Sequence, residues 1–284
     1  MEVNREPAQI AAYLDNPTAK SLLFVKGQPA LHDDLTPITV HPQKILETLK
    51  GQSLFDPSPL FLGLQGGCPL FAFNLHDSTT AAPPDSFQEL RFIASRMNPE
   101  DLATIGRARA FLDWHFNHEF CAKCGAKTHA EQGGLMRKCP ACGTEHYPRV
   151  NPVVIMMVTH DDHCLLGAGH NFPERSFSAL AGFVSTGETP EEAVIREVKE
   201  EVGLDVASPR YIFSQPWPFP GQLMMGFSCE AASRDITIDP KELREAQWFS
   251  KDTVADVFAK QSEAFLRPPR FTIAHHLLRH WLSE

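Results

Sequence analysis

The stretch Gly182–Leu204, GFVSTGETPEEAVIREVKEEVGL, decides the reading of this chain. Thr189 can cap a helix, Pro190 suits its first turn, and Glu192 completes a Thr-x-x-Glu capping box. Gly203 is placed to end it. Val194, Val198 and Val202 recur every four residues, and Ile195 widens them into an expected buried stripe. At about 100° per residue, Glu197, Glu200 and Glu201 fall within an arc of about 100°, on a different side from that stripe. Such an arrangement works against the helix. Like charges at i,i+4, as in Glu197 and Glu201, oppose it by a few tenths of a kcal/mol. Anions in its last turn face the negative end of the macrodipole. Lys199 and the pair Arg196–Glu200 offset only part of this. A solvated charged face is the plain alternative for any isolated glutamate cluster.

The whole pattern argues otherwise. Gly182-x5-Glu188-x7-Arg196-Glu197-Val198-x-Glu200-Glu201-x-Gly203-Leu204 resembles the Nudix box at every specified position. Hard carboxylate oxygens suit Mg²⁺ or Mn²⁺, ions that also hold substrate phosphates. The resemblance implies that Glu197 and Glu201 are the main metal ligands, with Glu200 a ligand or the base. Glu188 would assist, and Arg196 would orient the glutamates.

Ten residues beyond the box begins SQPWPFPGQLM, residues 214–224. Pro216, Pro218 and Pro220 interleave with Trp217 and Phe219, which reads as a stiff extended loop with flat apolar surfaces. By composition alone it could equally fill a core. Its order resembles the SQPWPFPxS signature of the NADH pyrophosphatase (NudC-like) branch of the Nudix hydrolases, with Gln222 where the signature has serine. The resemblance covers about residues 116–284. It implies substrate contacts at Gln215, Pro216, Trp217, Pro218, Phe219, Pro220, Gly221 and Gln222. It adds Glu242, in Asp239-Pro240-Lys241-Glu242, as a further metal ligand. Ala181 is carried into both the metal set and the substrate set; Tyr147, Phe183, Ala274 and Arg91 join the substrate set. Ordinary packing is the alternative for Tyr147, Phe183, Ala274 and Arg91. His170 and the His275–His276 pair read as surface or core residues rather than ligands.

Upstream, Cys121-x2-Cys124 and Cys139-x2-Cys142 are separated by fourteen residues, each followed by glycine, Gly125 and Gly143. Four thiolates close a tetrahedral Zn²⁺ site, so the expected role is structural. A redox CxxC would not need duplication. A nucleic-acid-binding ribbon stays open, because Lys123, Lys127, Arg137, Lys138 and Arg149 form a small basic excess.

The bulk numbers agree with a soluble globular protein of about two domains. The 284 residues, 43% hydrophobic and 21% charged, can bury more than one core. A net charge of −9 argues against a general nucleic-acid coater. Seven cysteines without a secretory start point to metal rather than disulfides, and Val153–Val158 is a strand's length, so a cytoplasmic protein without membrane partners is expected.

The expected fold is α/β (α+β): an N-terminal α+β domain (1–112), a zinc ribbon (113–148) and a Nudix α/β/α sandwich (149–284). Strands are expected over Ser21–Val25, Leu60–Leu64, Pro152–Val158, Cys164–Leu166, Leu180–Val184, Tyr211–Ser214, Leu223–Cys229 and Ala246–Phe249. Further helices are expected over Pro99–Phe116 and Phe271–Leu282. The resemblance implies a homodimer that hydrolyses NAD(H) to AMP and NMN(H), and the same chemistry on a longer ligand would remove an NAD cap from RNA. Two readings compete: a broader hydrolase of nucleoside-diphosphate-linked compounds such as ADP-ribose, and a non-catalytic zinc-ribbon nucleotide or RNA binder.

Overall fold

The computed structural model describes residues 4–49, 59–75 and 82–284. They form two compact units. Unit 1 holds the chain up to Arg149 together with Pro218–Gly221; unit 2 holds Val150–Trp217 and Gln222–Glu284.

In unit 1, strand β1 (Lys20–Val25) pairs in parallel with β3 (Cys68–Leu75), which pairs antiparallel with β2 (Leu60–Gln65). Leu22 and Phe24 of β1 enter one core and Leu23 enters another, as alternation on a strand buried on both faces requires. Helix α1 (Pro99–Asn117) covers the first core with Ile105, Ala108 and Leu112. Asn98 caps it by accepting the Glu100 amide at 2.9 Å. The ribbon of this unit is a three-stranded sheet of His129–Glu131, Met136–Lys138 and Glu145–His146.

Unit 2 is built on β4 (Asn151–His160), β5 (His163–Gly169), β6 (Leu180–Phe183), helix α2 (Pro190–Val202), β7 (Val206–Trp217), β8 (Gln222–Ala231), β9 (Leu243–Ser250) and helix α3 (Ile273–Ser283). The sheet order is β7-β8-β4-β5-β9, with β6 on β4. Only β8 and β4 run parallel. Strand β4 is the hinge of the architecture. Val154, Met156 and Val158 face the core closed by Val194, Val198 and Val202 of α2. Ile155 and Met157 face the core closed by Leu277, Leu278 and Trp281 of α3. A helix on each face of one sheet is the expected α/β/α sandwich.

Three local expectations are corrected. Strand β7 runs to Trp217, so Gln215, Pro216 and Trp217 are not loop but strand, paired with Met224, Leu223 and Gln222. Pro216 is tolerated there because β7 lies at the sheet edge, where a missing N–H costs no ladder bond. Strand β5 continues past Leu166 to Gly169, leaving β4 after Leu165 and following β9 instead. Ile195 is 43% exposed rather than part of the stripe. The buried sector of α2 runs from Ala193 to Val202, and at about 100° per residue its centre lies near Glu201, with Ile195 just outside. Glu197 and Glu201 therefore share the buried face instead of opposing it, while Glu200 stays outside it. No helix among the described residues is long and apolar enough to cross a membrane.

Candidate active site

Helix α2 is fixed at both ends. Thr189 Oγ1 accepts the Glu192 amide at 3.2 Å and Glu192 accepts the Thr189 amide at 2.8 Å. Gly203 ends the helix at φ +74°, a left-handed turn that favours glycine.

From this helix Glu197 and Glu201 enter the protein, 9% and 6% exposed. They meet Glu242, which precedes β9: one carboxylate oxygen from each of the three lies within 4.8 Å of the others. Burial, then the charges of Glu197 and Glu242, push the Glu201 carboxyl up to about 8. Its Oε2 is buried without a hydrogen-bond partner. Three acids held together, one with an orphaned oxygen, form a donor set that a small hard cation would complete. Gly182 of β6 makes room, since a Cβ there would overlap the Glu197 carboxyl.

Arg196 organises the other acids. Its Nε and Nη2 donate to the two oxygens of Glu188 at 2.7 and 2.8 Å, a bidentate fork. Its Nη1 donates to Glu197 at 2.8 Å and Glu200 at 2.9 Å, and Nη2 also reaches the Phe183 carbonyl at 2.9 Å. Glu188 also accepts the Ser185 amide at 2.9 Å. Arg196 and that amide hold the Glu188 carboxyl down to about 2. Glu200, its side chain 57% exposed, pairs with Arg196 and stands outside the three-acid group. Ala181 and Phe183 share the exposed face of β6, opposite to Gly182 in the alternation.

The aromatic–proline segment is divided between the units. In unit 2, Gln215 Nε2 donates to the Phe271 carbonyl at 2.7 Å, and the Trp217 and Phe271 rings stack nearly parallel, 5.9 Å apart. Gln222 opens β8 opposite Trp217. In unit 1, the Arg91 and Arg109 guanidiniums lie 5.2 and 4.9 Å from the Phe219 ring centre. Pro218 packs on Gly106, where a Cβ would come within 3.1 Å of it. Pro220 and Gly221 complete the turn, with Gly221 at φ +53°. Tyr147 is exposed and donates its hydroxyl to Glu145 at 2.9 Å. Ala274 is buried in the α3 core. His170 is exposed and His275 buried.

In the ribbon, the four sulfurs of Cys121, Cys124, Cys139 and Cys142 lie within 4.8 Å of one another. The two knuckles are alike. Gly125 N–H donates to the Cys121 carbonyl and Gly143 N–H to the Cys139 carbonyl, each at 2.9 Å, with the glycines at φ +77° and +72°. Soft thiolates converging in this way fit Zn²⁺ in a closed structural site. Sequence reasoning missed the surroundings. Arg137, read as a surface cation, is buried, donating to Thr128 Oγ1 at 2.7 Å and the Thr128 carbonyl at 2.9 Å. Lys138 is paired with Glu145 at 3.6 Å. A neighbour of the metal ligands also escaped notice: His146 Nε2 lies 3.3 Å from Cys121 Sγ.

Three family descriptions match successive parts of the chain. The NADH pyrophosphatase-like rudimentary NUDIX domain matches residues 19–114, the NADH pyrophosphatase zinc ribbon domain 117–147, and the NUDIX domain 148–268. The chain is 40% identical over 218 residues to the NAD-capped RNA hydrolase NudC of Stutzerimonas stutzeri (strain A1501), covering 77% of each protein. It is 42% identical over 198 residues to the NAD-capped RNA hydrolase NUDT12 of Homo sapiens, covering 66% of this chain and 43% of that protein. It is 38% identical over 213 residues to the mitochondrial NAD(P)H pyrophosphatase NUDT13 of Homo sapiens, covering 70% of this chain and 60% of that protein. The chain thus spans less than half the length of the human NUDT12 relative. The box, the ribbon and these likenesses agree: the chain belongs to the Nudix hydrolases, in the branch that carries the NADH pyrophosphatase zinc ribbon.

Proposed function

We propose that the protein hydrolyses the diphosphate of NAD(H) to AMP and NMN(H), working as a cytoplasmic homodimer with Zn²⁺ in the ribbon and Mg²⁺ or Mn²⁺ at the box. The observation that carries this is the convergence of Glu197, Glu201 and Glu242 beside the Arg196 fork. Those three acids would hold the divalent ion, which when bound neutralises phosphoryl oxygens and makes a water acidic enough to attack phosphorus. Arg196 keeps Glu197 turned toward the centre and locks Glu188 to the start of the box. The buried Glu201 supplies an oxygen already stripped of water. Ala181 and Phe183, exposed on β6, border the box, and Phe183 offers a flat apolar surface to a base or nicotinamide ring. In the reaction one water O–P bond forms, one bridging P–O bond breaks, and the water's proton passes to a carboxylate.

NAD-capped RNA presents the same diphosphate, and the names of two relatives support it as a second substrate. A ribbon that binds RNA without chemistry is less well supported, because Arg137 is buried and Lys138 is paired. The deciding experiment offers NADH, NAD⁺, ADP-ribose and NAD-capped RNA with Mn²⁺ or Mg²⁺ and separates the products. AMP and NMN(H) from the dinucleotides are expected. Metal-independent RNA binding without hydrolysis of any of the four would defeat the proposal.

A further inference from the structure

Glu242 is exposed, so packing of its own side chain does not determine where its carboxylate lies. The backbone turn that carries it must do so, and that turn is tied from two sides. On one side it is fastened to the glutamate it accompanies: the Asp239 amide donates to the Glu201 carbonyl at 2.9 Å, and the Thr237 amide to the Val202 carbonyl at 2.9 Å. Within the turn, the Lys241 amide donates to Asp239 Oδ1 at 2.9 Å, and the Glu242 and Leu243 amides donate to the Asp239 carbonyl at 3.2 and 3.0 Å.

On the other side, the segment after β5 is bonded once to the turn and once to the start of β9. His170 Nε2 donates to the Pro240 carbonyl at 2.9 Å, and Arg244 Nη1 donates to the Phe172 carbonyl at 2.9 Å. The register of β5 against β9 shifts between Ala168 and Gly169, immediately before His170. A bulge of this kind bends a strand and re-aims the side chains beyond it, and here the chain leaving it carries His170 onto the turn.

We propose that His170 is a positioning residue. By gripping the Pro240 carbonyl it holds Glu242 against Glu201, and so sets the affinity of the three-acid centre for its divalent ion. This rests on the metal reading above, and it assigns work to a histidine that touches neither ion nor substrate.

The test is a Mn²⁺ titration of the full-length, zinc-loaded protein by calorimetry, comparing wild type, His170→Ala and His170→Gln, each with and without Glu242→Gln. Loss of one hydrogen bond predicts Mn²⁺ binding about fivefold weaker in His170→Ala, while His170→Gln, whose amide can donate to the same carbonyl, stays within about twofold of wild type. In the Glu242→Gln background His170→Ala should cost nothing further. Hydrogen exchange of the Lys241, Glu242 and Leu243 amides in the ion-free protein should quicken in His170→Ala alone. An unchanged Mn²⁺ affinity in His170→Ala, or an equal loss with Glu242 already replaced, would overturn the brace and leave the metal reading standing. A wild-type protein that takes up no Mn²⁺ at all would bring down both.

Discussion

Gly182 lies so close beneath Glu197 that a single methyl group on it would occupy the space of the carboxyl. The Glu197 carboxyl can lie against the strand here only because that strand residue has no side chain. Gly182→Ala should therefore displace Glu197, lowering NADH turnover by about a hundredfold or more while costing little stability, since the group displaced is the far end of a flexible side chain. Zinc content measured by mass spectrometry should not change. Near-normal turnover in this variant would separate Glu197 from the reaction.

The unequal placement of Glu200 and Glu201 predicts unequal losses. Glu201 is buried in the three-acid group, and Glu200 is held at the surface by Arg196. Glu201→Gln should reduce kcat by roughly a hundredfold or more, because it alters one of the three carboxylates proposed to hold the divalent ion. Glu200→Gln should cost less, and steady-state assays of the two side by side would check the order.

Glu201 also predicts a pH dependence. Its carboxyl, ordinarily near 4.5, is raised to about 8 in the folded chain by burial and by Glu197 and Glu242. A raised carboxyl favours folding while it is protonated. That contribution is complete below about pH 4.5 and is lost as pH rises toward about 8. Without divalent ions the melting temperature should fall across this window. Mn²⁺ should restore it at the alkaline end, and Glu201→Gln should flatten the profile. Differential scanning calorimetry from pH 5 to 8 measures all three.

Arg196→Lys tests the fork. An ammonium cannot reproduce the paired bonds to Glu188 together with those to Glu197 and Glu200. A loss of roughly ten- to a hundredfold in kcat/KM is expected, about 1.4–2.7 kcal/mol of transition-state stabilisation. Steady-state kinetics would check it, with near-normal kcat/KM counting against a role for the fork.

In the ribbon, Cys139→Ser should remove a buried ligand and release zinc, since four sulfurs converge there and the metal contributes directly to folding. Metal analysis together with protease sensitivity of residues 117–147 would show it.

Features written in local spacing were legible in the chain: the capping box at Thr189 and Glu192, the glycine at 203, and the four cysteines with their two glycines. Each depends on neighbours a few residues away. Glu242 was reachable only through resemblance, because forty residues separate it from Glu201 and no periodicity links them. Ile195 misled because helix geometry gives angles but not which sector faces the core. A buried glutamate looks, in sequence, like a solvated one. Arg137 misled similarly: its charge suggested a surface, whereas Thr128 supplies it with buried acceptors. Pro216 and Trp217 looked like loop because their place on an edge strand is a property of the sheet.

Adjacent positions of β4 serve different masters. Trimming Met156 would loosen the side that backs the acidic helix, whereas trimming Met157 would loosen the side that backs α3. An engineer seeking a hardier variant could thus rework the Ile155 and Met157 side for heat resistance while leaving the chemistry's own backing untouched.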